Sequence, residues 1–212
     1  MVKAVFFDFW GTLVENGTRS PMKQSWQILR TGLPFSPFVQ RFEEAVMTKQ
    51  FPDQAAAFTE ACNEFDIAPK PFIIEKLIGV WNKNKLLAKT YDETEVTLRE
   101  LKQKGLKLVL VSNTLQDNVS PVLEKFGLLE LFDHVFLSDE QGVLKTTGLF
   151  EKALKEAKLK AKDVISVGDS IETDIKGAEA AGIKSYLIDR RNTREFESKI
   201  VSLDELTDIV EE

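Results

Sequence analysis

The chain has 212 residues, enough for one sizeable domain or for a core that carries a smaller insert. A net charge of −6, with Lys and Glu interspersed, argues against a nucleic-acid partner, because phosphate contacts need a concentrated basic surface. One cysteine, Cys62, leaves no intramolecular disulfide and no cysteine metal site, and one histidine, His134, leaves no two-histidine site.

The first apolar run, Ala4–Phe7, stops at Asp8 and has the pattern of a strand buried on both faces. It is far too short for a signal peptide or a membrane span, so a cytoplasmic protein with no membrane partner is expected. Asp8-Phe9-Trp10-Gly11-Thr12 follows, a carboxylate at a glycine turn. Residues 16–89 then carry no strand pattern. Ser20 caps and Pro21 opens a helix with Met22, Trp26 and Leu29 on one face. Ser36 and Pro37 repeat the device ahead of Phe38, Phe42, Ala45 and Val46. Asp53 opens a third helix carrying Phe58, Ala61, Cys62 and Phe65, and Pro71 a fourth carrying Ile74, Leu77, Ile78 and Trp81. These form a small all-α bundle, a cap inserted after the first strand. Cys62, Trp26 and Trp81 read as its core, Glu15 and Asn16 as linker, and Arg19 as a solvated side chain.

Beyond residue 90, strand and helix alternate. Helices are expected at Glu95–Lys104, Asn118–Phe126, Leu149–Ala157 and Ile171–Ala181, and strands at Leu106–Val111, Val135–Leu137, Val164–Val167 and Ser185–Ile188. Ser202 and Glu205 form a capping box for a last short helix. The fold class is α/β, a parallel sheet core of residues 1–15 and 90–212 with the helical cap at 16–89. In such sheets functional residues collect past the carboxyl ends of the strands, which directs attention to Asp8, Ser112, Asp139 and Asp169.

Four segments at strand ends combine into one chemistry: Asp8 to Thr12, Ser112-Asn113-Thr114, Lys145, and Asp169 with Asp174 in "VGDSIETDIKGAEAAG". A nucleophilic carboxylate, a hydroxyl beside an amide, a lysine and an acidic pair are what phosphoryl transfer without a nucleoside-triphosphate loop requires. The carboxylate attacks phosphorus, the donors hold the non-bridging oxygens, and the acidic pair holds Mg²⁺.

With "FFDFWGTL", "VSNT", Lys145 and "VGDSIETDIKGAEAAGI" as its four motifs, the chain resembles the haloacid dehalogenase superfamily over essentially its whole length. The resemblance implies a Rossmann-like core with a helical cap. It makes Asp8 the nucleophile that forms an aspartyl-phosphate, and Lys145 the group that neutralises Asp8 and the phosphate. Ser112 and the Asn113 backbone N–H bind the transferred phosphoryl, with Thr12 and Trp10 also on the substrate side. Asp8, the Trp10 backbone carbonyl, Asp169 and Asp174 make up the Mg²⁺ site. The implied activity is that of a Mg²⁺-dependent phosphatase acting on a small phosphorylated metabolite, as a monomer or homodimer.

Two departures stand out. Phosphatase relatives carry an acid/base aspartate two residues after the nucleophile, and this chain has Trp10, whose indole N–H donates but does not titrate. Loss of such a group costs about 10²–10⁴-fold in rate. An aromatic residue there is a feature of the metal-independent 2-haloacid dehalogenases, which makes dehalogenation the alternative, although Gly168-Asp169 matches the metal-binding members. A phosphate-binding regulatory relative is a second alternative. After the lysine, "KTTGLF" reaches Phe150 in five residues where relatives take six, which puts the reach of Lys145 in question.

Overall fold

The apolar runs become strands. In the computed structural model, which describes residues 1–17, 20–115 and 117–211, they are β1 (Ala4–Phe7), β2 (Lys107–Ser112), β3 (His134–Leu137), β4 (Val164–Gly168) and β5 (Lys184–Ile188), each within a residue or so of its expected ends. β6 (Lys199–Ile200) is new; two residues are too few to show a period.

All neighbours pair in parallel, in the order β3-β2-β1-β4-β5-β6. β1 is central, and the chain builds outward from it first to one side and then to the other. The loops after β1 and β4 therefore diverge, and a crevice opens at the carboxyl ends of these adjacent strands. Alternate residues explain why the runs read as continuously apolar. Val5, Phe7, Leu108, Leu110, Ile165 and Val167 join one core on one face. Ala4, Phe6, Val109, Val111 and Val164 join a second core on the other.

Between β1 and β2 stand α1 (Pro21–Leu29), α2 (Phe35–Val46), α3 (Gln54–Glu64) and α4 (Pro71–Leu86). The Ser20 hydroxyl accepts the Lys23 N–H at 3.2 Å and Asp53 accepts the Ala56 N–H at 2.7 Å, so both expected caps form. α2 departs from expectation, because it starts at Phe35 with Pro34 as its cap and takes Ser36 and Pro37 into its first turn. That turn has no intrahelical partner for its N–H groups, so a proline there costs no hydrogen bond. The helices share a separate core in which Phe42 stacks on Trp81 with ring centres 6.0 Å apart. Cys62 is fully buried in it, and burial pushes its thiol up, as suits an inert core residue. Leu115 and Leu144, from loops on the sheet side, complete this core.

The remaining helices are α5 (Thr94–Gln103), α6 (Ser120–Lys125), α7 (Ser138–Gln141), α8 (Leu149–Glu156), α9 (Lys176–Ala180) and α10 (Leu206–Ile209). Asn118 lies outside α6. The helix expected from Ile171 opens instead as a π-helical turn, Ile171–Ile175, that runs into α9. The Ser202–Glu205 capping box forms. No helix among the described residues is long and apolar enough to cross a membrane.

Candidate active site

Asp8 emerges from β1 with its backbone N–H bonded to the Val167 carbonyl at 3.0 Å, which fixes it beside β4. Gly11 turns the chain with φ of +84°, and a Cβ there would stand 2.1 Å from Asp169 Oδ2. Only glycine satisfies both demands. Thr12 is fully buried under this turn and donates its hydroxyl to Asp8 Oδ2 at 3.0 Å. It is not among the residues that line the cavity.

Asp169 and Asp174 come from the segment after β4. Gly168 makes room for Asp174, since a Cβ would lie 2.3 Å from the Asp174 carboxyl carbon, and Ser170 N–H donates to Asp174 Oδ2 at 2.9 Å. Asn16, expected as plain linker, donates to Asp169 Oδ2 at 3.4 Å. Lys145 reaches the site despite the shorter loop, carried by a 3₁₀ turn over Lys145–Thr147. Its ammonium lies 2.5 Å from Asp8 Oδ1 and 2.6 Å from Asp174 Oδ1, and its side chain is 2% exposed.

Charge is concentrated here. Asp8, Asp169 and Asp174 each offer an oxygen, all within 4.8 Å of one another. Burial and the neighbouring Asp174 raise the Asp8 carboxyl to about 6 against the pull of Lys145. Burial, Asp8 and Asp174 hold Asp169 well above the usual carboxylate range. Burial alone would lower the Lys145 ammonium, but Asp174 and Asp8 outweigh it and keep it charged. Lys145 forms no ion pair with Asp169 among the described residues. One ammonium against three crowded carboxylates, all hard oxygen donors, fits a divalent cation such as Mg²⁺.

Above the carboxylates lies a cavity of about 240 Å³. Asp8, Ser112, Asn113 and Lys145 line it from the sheet side, and Val39, Glu43, Met47, Trp81 and Asn84 from the helical bundle. Trp10 borders it, packed edge-on against Phe9. Trp10 Nε1, Asn84 Nδ2 and Asn118 Oδ1 are buried without partners among the described residues, and all three residues line this space. Of the other positions singled out in the sequence, Asp139 is buried in α7 and does not line the cavity, and Arg19 lies outside the described residues.

Glu43 was not visible as a site residue from the sequence. Phe35, Val39 and Glu43 of α2 and Met47, its C-cap, recur every four residues, and all line the cavity. A lone carboxylate in that otherwise apolar stripe is the signal that was available. Asn113 holds it: Asn113 Oδ1 accepts the Lys145 backbone N–H at 2.9 Å, and Asn113 Nδ2 donates to Glu43 Oε2 at 2.9 Å.

A family model described as haloacid dehalogenase-like hydrolase matches residues 2–182. The chain belongs to the haloacid dehalogenase-like hydrolases. Among similar curated proteins of this superfamily is the glyceraldehyde 3-phosphate phosphatase of Methanocaldococcus jannaschii, 30% identical over 99% of this chain and 97% of that protein. The phosphoserine phosphatase of Thermus thermophilus is 30% identical over 69% of this chain and 59% of its own length. Similar solved structures include a phosphatase from Thermococcus onnurineus, with a TM-score of 0.66, 22% identity and coverage of 99% of this chain and 98% of that one. Another is an L-2-haloacid dehalogenase from Xanthobacter autotrophicus, with a TM-score of 0.69, 17% identity and coverage of 100% and 99%. Both chemistries thus occur on this fold, so backbone likeness does not choose between them for this hydrolase. The side chains must.

Proposed function

We propose that this hydrolase is a Mg²⁺-dependent phosphatase acting on a small phosphorylated metabolite, with Asp8 as nucleophile. The observation that carries the reading is the cluster of Asp8, Asp169 and Asp174, in which Lys145 pairs with Asp8 and Asp174 and leaves Asp169 without it. Displacing a halide needs no bound cation, whereas attack on an anionic phosphate uses clustered carboxylates to hold one. Asp8, Asp169, Asp174 and the Trp10 carbonyl would hold Mg²⁺, which supplies the positive charge that lets one anion approach another.

The chain's own groups do the rest. Thr12 and Lys145 each hold one oxygen of Asp8 and so orient its carboxylate. Ser112 and the Asn113 N–H bind the transferred phosphoryl, and Lys145 balances charge as it moves between Asp8 and phosphate. The bundle of residues 16–89 acts as the cap that closes over the substrate. Its cavity suits a compact substrate, and the partnerless Trp10, Asn84 and Asn118 atoms call for hydroxyl or carbonyl groups on it. The three-carbon phosphate named for the archaeal relative fits that description.

The test is phosphate release from p-nitrophenyl phosphate and from a metabolite panel headed by glyceraldehyde 3-phosphate, with Mg²⁺ and with EDTA. Activity is expected only with Mg²⁺, and Asp8→Asn should lower it by at least 10³-fold, as for loss of a covalent nucleophile. Chloride release from 2-chloropropionate in EDTA, without phosphatase activity, would establish the dehalogenase instead.

A further inference from the structure

We propose that Glu43 is the general acid and base of this site, supplying from the helical bundle the proton transfer that Trp10 cannot perform. The proposal rests on the phosphatase reading.

The direction of attack places the leaving group. Asp8 approaches phosphorus from the sheet side, and in-line displacement puts the departing oxygen opposite, toward the bundle. Among the described residues, four carboxyl groups line the cavity, those of Asp8, Asp169, Asp174 and Glu43. The first three form the cluster beneath the phosphate, and Glu43 alone comes from the bundle side. The Asn113 amide leaves no freedom in how Glu43 is held. Its Oδ1 is taken by the Lys145 N–H, so Nδ2 must face Glu43, and it donates to Oε2. The carbonyl oxygen of a carboxylic acid is the better acceptor, so this N–H on Oε2 favours Oε1 as the place for the proton.

The acidity suits the task. Burial raises the Glu43 carboxyl to about 7, with the Asn113 hydrogen bond and Lys145 opposing and Asp174 and Asp8 adding to the rise. A group poised near neutrality serves both as donor and as acceptor.

In the first step the Asp8 oxygen–phosphorus bond forms, the ester P–O bond breaks, and the Glu43 proton passes to the departing oxygen to give the alcohol. In the second, Glu43 carboxylate takes a proton from water as the water oxygen bonds to phosphorus. The Asp8–phosphorus bond breaks, inorganic phosphate leaves, and Asp8 carboxylate and Glu43 acid are restored.

The test compares wild type with Glu43→Gln on substituted phenyl phosphates of graded leaving-group acidity and on glyceraldehyde 3-phosphate, all with Mg²⁺. Glutamine keeps an oxygen to accept the Asn113 N–H, so the contact between bundle and sheet survives and only the proton is lost. kcat/KM for the alkyl ester should fall about 10²–10⁴-fold. It should fall far less for the nitrophenyl ester, whose leaving group needs no proton, so the dependence on leaving-group acidity steepens. The nitrophenyl ester should also give a burst of one equivalent of nitrophenolate before a slow steady state, because water attack lacks its base. Glu43→Asp, an acid one methylene short, should fall between the two.

Equal losses on all esters with no burst would overturn the acid–base role in favour of a purely positioning one. Retention of full activity by Glu43→Gln would overturn it outright. No hydrolysis of any ester by wild type would remove the phosphatase reading and this proposal with it.

Discussion

Lys145 is a buried ammonium held between two carboxylates, so its removal bears on stability as well as on the proposed chemistry. Replacing it with methionine fills the space but leaves Asp8 and Asp174 facing each other without a countercharge. Breaking a buried pair in this way costs about 3–5 kcal/mol, so Lys145→Met should lower the urea midpoint of EDTA-treated protein accordingly, and activity should disappear. Gly11→Ala tests the turn. Its methyl would enter the space of Asp169 Oδ2 while the backbone is held at φ of +84°. Mg²⁺ affinity by calorimetry should fall about 10–100-fold, with the fold retained. Trp10 gives a reciprocal check on Glu43. Trp10→Asp introduced into the Glu43→Gln protein returns a titratable group to the departing oxygen, and should recover at least tenfold in kcat/KM for glyceraldehyde 3-phosphate. No recovery would count against the gap at position 10 being one of proton transfer.

At the scale of elements, legibility followed burial. β1, β2, β4 and β5 could be read because both of their faces are covered, so apolar residues sit at adjacent positions in each rather than alternating. Ser20 and Asp53 could be read as caps because a cap is a local device with a local partner. The start of α2 could not, because Pro34 already occupies the cap position two residues ahead of Ser36. The π-helical turn after β4 was hidden as well, since its apolar residues also fit an ordinary helix. In the site, the order of motifs pointed to Asp8, Lys145, Asp169 and Asp174, and these side chains do meet. Glu43 was hidden because its meaning depends on a partner, Asn113, 70 residues away and on another element. Asn16 was hidden for the same reason, as its contact lies 153 residues along the chain. Patterns within one segment reveal faces and caps, and they carry no information about what the opposite wall supplies.

For the whole molecule, pH acts on Glu43 and on Asp8, and Asp8 is also a ligand of the proposed metal site. Asp8 and Glu43 have folded values of about 6 and about 7, above their ordinary 3.8 and 4.5. A raised acid binds its proton more tightly in the folded state, so its contribution to stability is complete below the unfolded value and lost as pH rises through the folded one. Metal-free protein should therefore lose stability from these groups between about pH 4 and pH 7. Mg²⁺ bound as proposed would compete with protons for Asp8, so the rise in Tm on adding Mg²⁺ to EDTA-treated protein should grow from pH 5 to pH 8. An increment independent of pH would show that the ion binds elsewhere.

Leu115 and Leu144 give the assembly one more property. They leave the loops beside the catalytic strands and are 1% and 6% exposed within the core of the bundle. Any motion that parts bundle from sheet must draw both out into water, at about 1.5–3 kcal/mol for each fully buried leucine. If the bundle parts from the sheet to exchange substrate for product, that burial alone would favour the shut arrangement by about two or more orders of magnitude. Turnover on a good substrate would be paced by release, with the two leucines setting the interval. Leu144→Ser should shorten that interval, read as faster amide exchange along α2 and a higher kcat at unchanged first-turnover rate; a slower enzyme would show that the leucine only supports the loop that carries Lys145.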